Sequence, residues 1–170
     1  MSNNTELFDE IAIKSGVVER TFSYDGKSVT LCIARWRDIG QTSAWQRAVQ
    51  GREKALKAQK GRLAVTLAPE LAEHFADTIK DSKPLKDGKL EVYVTSQEEL
   101  FMASILEYGV VDSETETLRF SWPEAVLFGK LNWNIAVQAT NAIREINELE
   151  AKEAAKKDST TEDSEDSADS

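Results

Sequence analysis

His74 is the only imidazole among the 170 residues, and Cys32 is the only thiol. One imidazole makes histidine-dependent acid–base or triad chemistry hard to assemble. One thiol excludes an internal disulfide and a cysteine-cluster metal site. The adjacent acids Glu98–Glu99 are the remaining pair of types that could work together, as two carboxylates do in glycoside hydrolysis. Neighbours on a helix point about 100° apart, however, and Glu99 stands where a capping carboxylate is needed. There is no Gly-rich phosphate loop and no second His for a metal. His74 reads as a structural or surface residue within a helix, and Cys32 as a structural thiol on the face of a strand opposite the core. Catalysis is not what these residue types and spacings support.

Binding is better served. Four tryptophans (Trp36, Trp45, Trp122, Trp133) are spread along the chain, and Trp is frequent both in cores and at binding hot spots. Core packing is the default for them, with Trp122 and Trp133 the better candidates for touching a partner. A second candidate is the basic stretch 47–62, where Arg47, Arg52, Lys54, Lys57, Lys60 and Arg62 face the lone Glu53. Its plain reading is a solvated helical face. Its functional reading is a docking surface for something acidic, the protein's own tail included.

These residues need elements to hold them. Val18–Tyr24 and Ser28–Ala34 flank Asp25–Gly26, a pair suited to a two-residue hairpin loop. That loop pairs Tyr24 with Lys27, Phe22 with Val29, Thr21 with Thr30 and Val18 with Ile33. It places Val18, Phe22, Val29, Leu31 and Ile33 on one core-facing side. A helix is expected from about Asp38 or Thr42 to Lys60, with Trp45, Val49 and Leu56 as its apolar stripe and Gly61 as its stop. Residues 63–67 fit either a strand or a helical linker. Pro69–Ile79 reads as a helix, Lys80–Lys89 as a loop, and Leu90–Val94 as a strand without an obvious partner. Ser96-Gln-Glu-Glu99 and Ser121-Trp-Pro-Glu124 are capping-box signatures. The first opens a helix ending near Gly109. The second opens a long helix running to about Lys157, with Phe128, Leu131, Ile135, Ala139, Ala142, Ile146 and Leu149 as an apolar seam.

Composition sets the outer bounds. The chain carries 21 bases and 30 acids for a net charge of −9. Six of those acids, and no base, fall in residues 158–170, so the body is only mildly acidic. Nucleic acid is thus not an expected main partner, since phosphate binding needs a concentrated cationic surface. No stretch approaches a membrane span, and the polar start Met-Ser-Asn-Asn-Thr-Glu is unlike a secretion signal. The expected organisation is a flexible or docked arm at 1–16, a single domain over 17–157, and a disordered acidic tail at 158–170. The fold class is α+β, a predominantly helical domain with an N-terminal β-hairpin.

Two segments together resemble the tail assembly chaperones of long-tailed bacteriophages, the lambda G-protein type. One is Phe22-Ser-Tyr-Asp-Gly-Lys-Ser-Val-Thr-Leu31, a hairpin leading into a basic helix. The other is Trp122-Pro123 opening the last helix, followed by a polar end. Length and element order are similar too, while residues 63–118 find no counterpart. The resemblance implies a non-enzymatic protein of the host cytoplasm, absent from the mature virion, that coats the tape measure protein and keeps it soluble until the tail tube forms. It implies no cofactor and no metal. Several copies would bind each tape measure chain, and self-association stays open. Chaperones of this kind often have a longer form made by ribosomal frameshift, whose extension engages the tail tube protein. Here Lys156–Lys157 is the better place for such a slip and Gly129–Lys130 the poorer one. The contact surface expected is the last helix, through Trp122, Phe128, Leu131, Trp133 and Ile135. The alternative is a permanent structural component of the phage tail or head. An acidic mimic of nucleic acid ranks lower, because its acids would need to be arrayed over a folded surface.

Overall fold

The computed structural model describes residues 16–36 and 39–149; the expectations for the arm at 1–15 and for everything past Leu149 lie outside these. β1 (Val17–Tyr24) and β2 (Lys27–Ala34) form the antiparallel hairpin in the register expected from its turn. Asp25 and Gly26 take φ of 50° and 79°, the left-handed pair that a tight two-residue loop requires. Phe22, Leu31 and Ile33 are buried beneath it. On the outer side the hydroxyls of Thr21 and Thr30 share a 2.8 Å hydrogen bond.

α1 (Ile39–Ala58) follows, with Trp45, Val49 and Leu56 buried as its stripe predicts. Its end is a paired left-handed cap. Lys60 and Gly61 have φ of 57° and 83°, and their N–H groups reach back to the carbonyls of Lys57 and Leu56. Residues 63–67 resolve as a strand, β3 (Leu63–Leu67), whose alternate residues Leu63, Val65 and Leu67 are buried.

α2 (Pro69–Phe75) is shorter than the helix expected to Ile79. The N–H groups of Thr78 and Ile79 both point at the Phe75 carbonyl, so the last turn tightens and the chain leaves the helix there. The expected loop 80–89 contains an edge strand, β4 (Ser82–Pro84), with Pro84 tolerated because an edge has a free side. β5 (Leu90–Val94) lies between β3 and β4, giving a three-stranded antiparallel sheet in the order β3-β5-β4. Its register sets Leu63 against Val94, Val65 against Val92 and Leu67 against Leu90, so all six side chains bury one face.

α3 (Gln97–Gly109) runs through the middle of the molecule and packs against α1 and both later helices. Directly after it β6 (Val110–Val111) pairs with Cys32 and Ile33 of β2, adding a third strand to the hairpin sheet. The expected single closing helix is two: α4 (Trp122–Leu131) and α5 (Trp133–Ile146). Asn132, at φ −138° and ψ 55°, separates them; its N–H closes α4 on the Phe128 carbonyl and its own carbonyl opens α5 through the Ala136 N–H. Length explains the break. Some 28 residues of straight helix would run about 42 Å, well past the roughly 30 Å width of a small domain. The corner lets α4 lie on α3 and β3 while α5 turns onto the hairpin.

Among the described residues, one buried cluster joins both sheets and the five helices. Among the described residues helix makes up 52% and strand 24%, so the fold is α+β with helix the larger part.

Candidate functional site

Among the described residues, the most exposed large aromatics stand at the hairpin tip and at the Asn132 corner. Trp133 opens α5 and is 38% exposed, while Tyr24, last residue of β1, is 53% exposed. The hairpin tip and the helix corner face each other. Tyr24, Asp25 and Lys27 on one side, and Leu131 to Ile135 on the other, line a shallow groove of about 160 Å³. Gln138 of α5 fixes the two walls by donating its Nε2–H to the Ser23 carbonyl at 3.0 Å. Leu131 and Trp133 also border a second hollow of about 410 Å³, with Ile79, Glu99 and Lys130 on its walls. Trp133 therefore stands as a ridge between two depressions.

The base of this region is held by charge. Lys130 Nζ donates to Glu99 Oε2 at 2.9 Å, with both side chains largely covered. The other Glu99 oxygen accepts from the Thr95 N–H at 3.0 Å. This corrects the first of the two capping boxes: Ser96 accepts from the Glu99 N–H, but Glu99 reaches past Ser96 to Thr95 and on to Lys130. The second box is complete, with Ser121 and Glu124 bonded reciprocally. Glu98 is exposed while Glu99 is buried, so the adjacent carboxylates face different surroundings.

The five residues expected at a contact surface divide. Leu131 and Trp133 are at the groove with open surface. Ile135 lines it too, but at 2% exposure it belongs to the intramolecular core, on the stripe with Ala139 and Ile143 that packs inward. It is withdrawn as an open contact. Phe128 is half-buried beside Phe120, ring centroids 5.2 Å apart. Trp122 lies at the far end of α4 under Arg52, whose guanidinium carbon is 3.7 Å from the ring centroid. Tyr24 is the residue that sequence reasoning missed. Its position at the end of a strand beside a two-residue turn was the available signal, since side chains there outrun the sheet that would cover them.

Trp36 and Trp45 are core-side residues: their rings sit 5.7 Å apart, and Trp36 Nε1 donates to the Tyr108 carbonyl. His74 is exposed on α2, and Cys32 is half-buried in β2. Among the described residues no three His, Cys, Asp or Glu side chains gather as a metal site, and no helix is long and apolar enough to cross a membrane.

The basic stretch 47–62 also divides. Arg52 turns inward to Glu107 at 2.6 Å and Ser104 at 3.1 Å. Arg62 is spread over the outer face of the second sheet, 4.1 Å from the Tyr93 ring centroid, with two 3.1 Å bonds to Asp81. Hydrogen bonding from Arg62 holds the Asp81 carboxyl below the usual carboxylate range, and the same bond raises the Arg62 guanidinium. Tyr93 is raised by its 2.7 Å bond to Glu91. Asp112 is lowered by the backbone N–H groups of Glu114 and Thr115, which it accepts in the turn after β6. Arg47, Lys54 and Lys57 remain exposed.

No family model, no characterised protein and no solved structure gives a match to this chain.

Proposed function

We propose that this chain is a non-enzymatic assembly chaperone of the long-tailed phage kind, which binds the tape measure protein through the groove between the hairpin tip and the α4–α5 corner. One observation carries the reading. The two segments that resemble such chaperones, the Asp25–Gly26 hairpin and the helix opened by Trp122–Pro123, are far apart in sequence, yet the hairpin's tip and that helix's end form opposite walls of one groove. The exposed Tyr24 and Trp133 flank it, and aromatic anchors beside a concavity are what a helix ridge needs for docking. A long helical chain left uncovered aggregates through its apolar stripe, so covering the stripe is sufficient activity in itself.

Co-expression with the tape measure protein tests this. The tape measure protein is expected in the soluble fraction with the wild-type chain and in the pellet with a Tyr24→Ser/Trp133→Ser variant that keeps its fold. Equal solubility with and without the chain ends the proposal. Mass spectrometry of purified virions separates it from the structural-component alternative, because a chaperone is expected to be missing there.

A further inference from the structure

We infer that the exposed basic face of α1 is covered, within the same molecule, by the acidic residues 158–170. Arg47, Lys54 and Lys57 fall within about 80° of one another around the α1 axis at 3.6 residues per turn, and all three are exposed. None of them makes an ion pair among the described residues, in contrast to Arg52 and Arg62. Gln50, which lies between them on that face, carries no charge, and the one acid of the helix, Glu53, lies about 40° to the side of Lys57. Elsewhere the bases are mixed with acids: Lys80, Lys83, Lys86 and Lys89 alternate with Asp77, Asp81 and Asp87. The α1 face thus carries three bases against the single Glu53 at its edge, and the exposed Lys60 follows just past the helix.

Residues 158–170, outside the described residues, have the complementary charge. They contain Asp158, Glu162, Asp163, Glu165, Asp166 and Asp169 with no base after Lys157. Asn147, just past α5, is tied to the segment that leads into α1. Asn147 Oδ1 accepts from the Trp36 N–H at 2.6 Å, Asn147 Nδ2 donates to the Ala34 carbonyl at 3.0 Å, and Trp36 packs on Trp45 of α1. Arg47, two residues on from Trp45, points about 160° away from it round the helix, on the exposed side. From Arg47 to Lys57 the face is about 15 Å long at the helical rise. The eight residues 150–157 reach about 27 Å if extended, and the thirteen that follow reach about 45 Å. Reach is therefore ample, and the tail has more acids than the strip has bases.

Individual exposed pairs contribute little, and salt screens them. The contact is consequently a multivalent, salt-sensitive one, which keeps the cationic strip from collecting other polyanions. It depends on charge and chain length alone and does not rest on the chaperone reading.

Amide NMR spectra of the full chain test it, comparing wild type with Arg47→Gln/Lys54→Gln/Lys57→Gln at about 20 mM and about 0.5 M salt, where screening lengths differ several-fold. All three substitutions are on the surface, and unchanged core amides check that the variant is folded. The expected result is that tail amides 158–170 differ between the two proteins at low salt and coincide at high salt. Wild-type amides 47–57 should move with the same salt midpoint. Tail amides that coincide in the two proteins at low salt overturn the inference. A tail shift that grows with protein concentration assigns the strip to the tail of a second copy and overturns it too. So does a DNA oligonucleotide that shifts amides 47–57 in the wild type while the tail amides stay in place.

Discussion

α1 and α3 lie against each other and are built on opposite terms. α3 is thirteen residues long, and eight of them are buried, including Glu99 and Ser104. α1 is twenty residues long, yet among its described side chains only Trp45, Val49 and Leu56 are buried. They meet through the Trp45–Phe101 edge contact, ring centroids 5.4 Å apart, and through Arg52 with Glu107. Volume fixes what α3 tolerates, because neighbours surround it. Charge decides what the outer side of α1 does, because nothing described surrounds it. A change of the same size should therefore read out as stability in one helix and as association in the other.

The largest effect that sharpens this contrast is Leu106→Ala. Leu106 is fully buried in the middle helix, and removing a buried Leu side chain costs about 2–5 kcal/mol, including the cavity it leaves. Lys54→Ala/Lys57→Ala on α1 should stay within about 0.5 kcal/mol, as surface changes usually do. Urea midpoints of the two variants measure the difference. Similar midpoints would break the comparison.

Two glycines give a finer version. A Cβ on Gly109, at the end of α3, would sit 2.6 Å from Ile143 Cγ2 and 2.8 Å from its Cδ1. Ile143 is fully buried on α5 and has nowhere to go, so Gly109→Ala is expected to cost about 1–3 kcal/mol by overpacking. A Cβ on Gly129 of α4 would meet only Met102 Cε, at 2.8 Å. That is the far end of a flexible side chain, and Ala in place of Gly inside a helix gains up to about 1 kcal/mol. Gly129→Ala should come out close to neutral. Combining Gly109→Ala with Ile143→Val should recover part of the loss, and thermal melts of the three proteins check it. A Gly109→Ala loss left untouched by Ile143→Val would place the strain elsewhere.

What the sequence made legible follows the same division. The hairpin could be read to the residue because Asp25–Gly26 fixes loop length, and loop length fixes register. α1 was legible through Trp45, Val49 and Leu56, a plain one-sided stripe. The second sheet was not, since β3 and β5 are separated by more than twenty residues and β4 is three residues ending in Pro84. Pairing at that distance leaves no local pattern. The unbroken seam from Phe128 to Leu149 misled for a related reason. Periodicity continues across Asn132 because both helices bury a face, although the faces are turned onto different parts of the core. The groove itself was half legible: Leu131 and Trp133 were named from their types, while Tyr24 entered only when the corner brought the hairpin tip alongside.

The smallest effect concerns a base that does have a partner. Arg62 lies just past α1 and makes two bonds to Asp81, whereas Lys54 and Lys57 make none among the described residues. The bonded Asp81 carboxyl is held below its ordinary 3.8. A depressed folded pKa means that the unfolded chain takes up the proton first as pH falls. The contribution is therefore complete above the ordinary value and fades as pH drops below it, through the lower folded value. Asp81→Asn should flatten the acid limb of the stability profile without moving the plateau near neutrality by much, because the pair is exposed and solvent-screened. Urea midpoints of wild type and variant, taken from about pH 6 down to about pH 2, measure it. An acid limb of unchanged slope in the variant would mean that the tethered Arg62 is energetically as free as the lysines of α1.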